Sequence, residues 1–222
     1  MRYVFDPEVL AQVVRMHLDL PVEEQIGAVS QTLRKIYGEH VSPGQPWMWS
    51  TAGGIMCTIS PLHVSLNEYL LFCGTAIGSE GHSGRHRATI FDVVMSGELW
   101  TYQAGSLDRH VHRPGELACL TPGTANGSKL RPGAWLLEYA RGNVPSLFPF
   151  ALGDTLFSTL DLTDLTQQLA ISNKLMLKEA VLWLKERRAG KPFAPDLSAL
   201  KAPALHLVGK GRTRSIKRAD LN

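Results

Sequence analysis

"ATIFDVVMSGELWTYQAG", residues 88–105, decides the fold. Its two short apolar runs are rich in β-branched and aromatic residues, and a Ser-Gly pair divides them, so it reads as two strands joined by a tight turn. The same texture extends from Trp47 to about Pro149 in "GGIMCTIS", "EYLLFCGTAIG", "VHRPG", "ELACLTPG", "GSKLRPG" and "AWLLEYA". Turn signals about every 8 to 12 residues between strand-like runs indicate an all-β barrel or sandwich.

The repeated "RPG" and "TPG" turns resemble those of a small jelly-roll or cupin-like β-barrel. Helical patterns flank this region, so the expected class is mainly β with flanking helices (α+β). On the N-terminal side, Asp6 caps and Pro7 opens one helix, which Pro21 stops. A second helix spans about Val22 to Tyr37, with Ile26, Val29, Leu33 and Ile36 on one face and Gly38 closing it. On the C-terminal side, "TDLTQQLAISNKLMLKEAVLWLKERRAG" is helical, with one weak point at Ser172 and Asn173. Its wide apolar face, with Trp183 and a basic rim, suits either core packing or a helix lying in a membrane interface.

One domain over residues 1–188 is expected, with helices at about 6–37, a barrel at about 47–150 and membrane-facing helices at about 155–188. The chain has 222 residues and a formal charge of +3, and its basic excess is local. From Lys185 to the end, ten Lys/Arg against three Asp/Glu give +7, leaving −4 over residues 1–184. Residues 189–222 read as a basic, disordered tail. It lacks interleaved aromatic residues and any nucleic-acid motif, so no nucleic acid is implied. Cys57, Cys73 and Cys119 are odd in number and show no metal spacing, and they read as buried thiols. No signal peptide and no run of roughly 18 apolar residues is present.

Two constellations could carry chemistry. His82 and His86 in "GHSGRH" and His110 and His112 in "RHVHRPG" could ligate a metal, but the first two straddle a turn and "ELACL" offers no histidine. His110 and His112 would point to one face of a strand. The other constellation is Asp92 in "TIFDVVMSG" and Glu138 in "AWLLEYA", each an acid inside an apolar run. A lone strand acid ordinarily faces solvent. Two acids facing each other inside one barrel would share a proton, with one apparent pKa raised and the other group charged.

"WSTAGGIMCTISPLHVSLNEYLLFCGTAIGSEGHSGRHRA", "LLEYARGNVPS" and "DTLFSTLD" resemble the family joining the sigma non-opioid receptor to the fungal-type C-8 sterol isomerase. The resemblance runs from "YVFDPEVL" to about Leu184. It implies a cupin-like barrel, a homotrimer, a C-terminal helical lid resting on the endoplasmic reticulum membrane (the cytoplasmic membrane face in a bacterium), and neither metal nor other cofactor. It also implies that Glu138 and Asp92 lie in an occluded cavity lined by Ile55, Ile59, Tyr69, Leu71, His86, Ile90, Phe148 and Ala151. Family members usually begin with a transmembrane helix, and this chain starts where that helix would end. Thr89, Ile90 and Asp92 are receptor-like, whereas Glu80 is isomerase-like. Glu68 in "NEY" is family-wide and reads as structural.

Two functions follow. One is a sterol isomerase that moves a ring double bond from the 8 to the 7 position, with Glu138 as principal acid/base and Asp92 as its partner. The alternative is a receptor-like protein without turnover that binds lipophilic amines or sterols. An ammonium imitates the isomerase's carbocation, so one site suits both.

Overall fold

The computed structural model describes residues 3–190 and 192–201. The expected class holds: ten strands form the centre, and helices flank them. Strands β1 (Met48–Ala52), β2 (Ile55–Val64), β3 (Glu68–Thr75), β10 (Ala134–Gly142), β5 (Ala88–Ser96) and β8 (Leu117–Leu120) form a six-stranded sheet in the order β1-β2-β3-β10-β5-β8. The smaller sheet runs β4 (Ser79–His82), β9 (Gly127–Leu130), β6 (Leu99–Tyr102), β7 (His110–His112). Every pairing among these described strands is antiparallel, and the two sheets are not hydrogen-bonded into a closed cylinder.

Residues 88–105 form β5, a tight turn and β6, as the opening stretch predicts. Gly97 makes the turn with φ +68, and a β-carbon there would lie 2.7 Å from the Ala134 Cα. Only glycine fits both the backbone angle and the close approach.

Two helices cover the outer face of the large sheet. Helix α1 (Pro7–Arg15) is capped by Asp6, which accepts from the Glu8 and Val9 amides at 2.9 and 3.2 Å. Helix α2 (Val22–Tyr37) ends at Gly38, whose φ is +58. Leu10, Val13, Val14, Val29, Leu33 and Ile36 from these helices bury against Leu70, Phe72, Phe91, Val93, Leu137 and Tyr139 of the sheet. Each such side chain contributes roughly 1.5–3 kcal/mol when fully buried, so packing more than helix propensity holds the helices in place.

The alternate residues of β3, β5 and β10 face inward: Leu71 and Cys73, Val94, and Leu136 pack with Leu99 and Leu130 of the smaller sheet. Both faces of the large sheet are therefore covered. This explains why its strands read as continuous apolar runs rather than as alternating ones.

The C-terminal part begins with α3 (Phe148–Asp154) and a wide helical turn at Thr155–Thr159. Helix α4 (Leu162–Ala189) then runs 28 residues. It does not break at Ser172 and Asn173, since neither residue removes a helical hydrogen bond. Its Leu165, Leu175 and Leu182 are buried, while Leu177, Val181, Trp183 and Leu184 are exposed.

Two expectations change. Cys119 is exposed because it alternates to the outer face of β8, opposite Phe91 and between the buried Ala118 and Leu120; Cys73 is buried and Cys57 intermediate. Part of the stretch expected to be irregular is ordered: Phe193 meets His40 edge-on at 4.4 Å, and the Asp196 amide donates to the Ile36 carbonyl at 2.9 Å. Phe193, Ala199 and Leu200 pack against the core cluster that includes α2. The remaining tail, 202–222, lies outside the described residues.

Candidate functional site

Glu138 on β10 pairs directly with Asp92 on β5 in the antiparallel register. Directly opposite residues share a face with β-carbons roughly 5 Å apart, and here that face is the inner one. What exposure the two acids retain is to an internal cavity rather than to bulk water. A solvent-facing role is excluded for both.

Their environments differ. Glu138 accepts a hydrogen bond from the Tyr69 hydroxyl at 2.5 Å, and the Cys73 thiol donates to its other oxygen at 3.7 Å. Asp92 Oδ1 has no partner. Burial first, then the neighbouring Glu138 charge, pushes the Asp92 carboxyl well above the usual range. Burial also raises Glu138, while Tyr69, Cys73 and His86 draw it back down. Both carboxyls are raised, Asp92 more than Glu138, so the pair is biased towards holding a proton.

The cavity holds about 640 Å³, within the usual range for small-molecule sites. Its walls include Ile55, Ile59, Tyr69, Leu71, His86, Ile90, Phe148 and Ala151, together with both acids. His86 is fixed by a 2.9 Å contact from Nε2 to the Ser83 carbonyl and by an edge-on contact with Phe150 at 4.9 Å. Helix α4 adds Gln168, Leu169, Ser172, Asn173 and Met176, so the residues expected to weaken the helix instead face the cavity.

Sequence reasoning named the histidines of this cavity but missed the rest of its polar part. Thr101, Asn126 and Ser128 line it, as do His82, His110 and His112. The four histidines considered as metal ligands thus reach one space without converging on one point. Among the described residues, His40, His63 and Glu179 are the group close enough to hold an ion. Alternating registers on short strands β6, β7 and β9 could have shown the polar face had those strands been delimited.

That second histidine group ties α4 to the barrel. His40 Nδ1 meets Glu179 Oε2 at 2.8 Å, and His40 Nε2 meets Glu186 Oε1 at 2.9 Å. His63 Nδ1 lies 3.4 Å from Glu179 Oε1 and 3.0 Å from the His40 carbonyl. Burial alone would lower His40, but its two carboxylate partners outweigh it and raise the pKa. Burial alone would raise Glu179, and its bonds to His40 and His63 instead bring it down to about 2. Both carboxylates lie two turns apart on one face of α4.

Glu68 accepts from the Val4 amide at 2.8 Å, the Phe5 amide at 3.4 Å and the Tyr139 hydroxyl at 2.9 Å, which anchors the N-terminal segment. Glu80, the isomerase-like residue, faces away from the cavity and pairs with Lys129 across β4 and β9 at 2.5 Å. It is exposed and is not among the residues that line the cavity.

Fold and site together define a mainly β protein with flanking helices, whose internal cavity carries a buried carboxyl pair. Residues 1–183 match the family described as ERG2 and Sigma1 receptor like protein, and the chain belongs to that family. It is 39% identical over 181 residues to sigma non-opioid intracellular receptor 1 of Gallus gallus, covering 81% of this chain and 82% of that one. It is 38% identical over 144 residues to C-8 sterol isomerase of Pyricularia oryzae, covering 65% of each. Among solved structures, KdgF from Halomonas sp. overlaps 46% of this chain and 93% of its own at a TM-score of 0.39 and 13% identity.

Proposed function

We propose that the protein acts as a sterol C-8 isomerase, with the carboxyl pair moving the protons. The observation that carries this reading is the asymmetric pair: Asp92 Oδ1 is without a partner, Glu138 accepts from Tyr69, and burial raises both carboxyls, Asp92 the more. Shifting the double bond adds one proton to an alkene carbon, passes through a tertiary carbocation, and removes one proton from the adjacent carbon. Asp92 is placed to donate and Glu138 to stabilise the cation and take the second proton, which returns to Asp92. This division shifts the emphasis of the sequence reading, which made Glu138 the principal acid/base and Asp92 its partner. The apolar wall formed by Ile55, Ile59, Leu71 and Ile90 keeps water from trapping the cation.

The similarity to a receptor over a larger share of the chain favours a second reading, in which the anionic Glu138 holds a lipophilic ammonium without turnover. In either case the exposed Leu177, Val181, Trp183 and Leu184 of α4 suit a membrane surface; no described helix is long and apolar enough to cross one.

Incubating the purified chain with an 8-unsaturated sterol and resolving the products tests the reaction. The 7-unsaturated isomer is expected, and Glu138→Gln and Asp92→Asn each abolish it. Protein that binds lipophilic amines yet yields no product overturns catalysis and leaves the receptor-like reading.

A further inference from the structure

The inner face of the smaller sheet changes chemistry along its strands. Leu99 and Leu130 pair across β6 and β9, and both are buried in the apolar cluster. Two residues further along, Thr101 pairs with Ser128, while on β7 His112 and His110 stand opposite Leu99 and Thr101. Residues directly opposite or two apart share a face, so this polar quartet points the same way as Leu99 and Leu130. All four line the cavity. Trp100, between them, faces outward under the Arg109 and Arg131 guanidinium groups at 4.0 and 4.6 Å.

Three features indicate a ligand group here. Thr101 Oγ1 and His112 Nε2 lie 3.1 Å apart as a preformed hydrogen-bonded pair. Asn126, just before β9, is fixed through its backbone to Ser83, with its amide donating to Ser83 Oγ at 2.8 Å and its carbonyl accepting from the Ser83 amide at 2.9 Å. Its side-chain Oδ1 is nevertheless buried without a partner. Leaving such an acceptor unpaired costs about 1–3 kcal/mol, which a donor on the ligand would recover.

The charge of the cavity selects the donor. Among the described residues, no Lys or Arg lines it, and burial holds His112 below the ordinary histidine range. A phosphate, sulfate or carboxylate headgroup would find no lysine or arginine and would face the Asp92–Glu138 pair. A neutral hydroxyl, one donor with two acceptor positions, can give to Asn126 Oδ1 and accept from Thr101 or Ser128.

We propose that Thr101, His112, Asn126 and Ser128 form a hydroxyl-binding subsite, which holds the alcohol end of a neutral lipophilic ligand across the cavity from Asp92 and Glu138. This deepens the sterol reading and rests on it for the identity of the ligand: a free ring alcohol, not its ester or sulfate, with the alkene in an adjacent ring. The subsite sets orientation and affinity and takes no part in proton transfer.

Competition against a radiolabelled lipophilic tertiary amine that lacks a hydroxyl tests it on the full chain. The competitors are an 8-unsaturated 3-hydroxysterol, its 3-deoxy analogue and its 3-sulfate. The alcohol is expected to compete roughly tenfold better than the deoxy compound, as one or two net hydrogen bonds provide, and the sulfate worst. Thr101→Val, Ser128→Ala and Asn126→Ala should each narrow the alcohol's advantage over the deoxy compound, both measured against the same amine in the same variant, with the thermal melt reporting folding. Equal competition by alcohol and deoxy compound, or an undiminished advantage in all three variants, overturns the subsite. If the amine binds and no sterol competes, the sterol reading fails instead. The same comparison, made with the amine carrying or lacking a terminal hydroxyl, then decides the subsite separately.

Discussion

Glu179→Gln removes the charge that ties α4 over the cavity. In the native protein Glu179 meets His40 at 2.8 Å and His63 at 3.4 Å, and these partners bring its pKa down to about 2. A fall of that size from the ordinary carboxylate range corresponds to about 3 kcal/mol of stability at pH 6. Breaking one side of a buried pair independently costs about 3–5 kcal/mol. For a domain of this size the variant should therefore melt about 6–12 °C lower. The sign with pH follows from the two partners. Glu179, depressed, contributes stability above the ordinary carboxylate pKa and loses it as pH falls towards about 2. His40, raised, contributes fully below the ordinary histidine pKa and loses its share as pH climbs through the raised value. The tie is strongest between those limits, near pH 5–6. Thermal melts from pH 3 to 9, with hydrogen exchange of the α4 amides, measure both effects. A variant that melts with wild type across this range, with unchanged exchange in α4, refutes the reasoning.

Other expectations concern the cavity and its supports. Tyr69→Phe removes the 2.5 Å donor from Glu138, so the Glu138 pKa should rise further and amine affinity near pH 7 should fall roughly tenfold, as titrated binding would show. Asp92→Asn relieves a buried carboxyl whose raised pKa costs stability once pH exceeds the usual carboxylate range, so its melting point should exceed wild type more at pH 8 than at pH 4, with isomerisation lost. Glu68→Ala leaves the Val4 and Phe5 amides and the Tyr139 hydroxyl without their acceptor, and urea unfolding should show a loss of about 1–3 kcal/mol or more. Replacing Leu177, Val181 and Trp183 with Ser should leave the melt unchanged and weaken liposome sedimentation if α4 rests on a membrane.

Much of the architecture was legible in the sequence because local rules wrote it. Asp6, Pro7, Pro21 and Gly38 delimit α1 and α2, and the glycine and proline turns separate the strands. Local chain energetics decide those features within a few residues. The family resemblance was equally legible, and the family match over residues 1–183 agrees with it.

Tertiary structure decided the rest. Sequence alone could not say whether the acid in "AWLLEYA" faced solvent, because strand periodicity defines two faces but not what covers each. Helices from the N-terminus cover one face of the large sheet, and a second sheet closes over the other, so Glu138 and Asp92 end up inside. His40, His63 and Glu179 meet across more than a hundred residues, and Thr101, Asn126 and Ser128 turn inward only through the pairing of short strands. The sequence by itself determined the long helices and the strand-rich centre, the family and the presence of two acids in apolar strands. Only the fold decided that those acids lie opposite each other in one cavity and that a polar face lines it too, because desolvation and hydrogen bonding depend on neighbours that chain order does not specify.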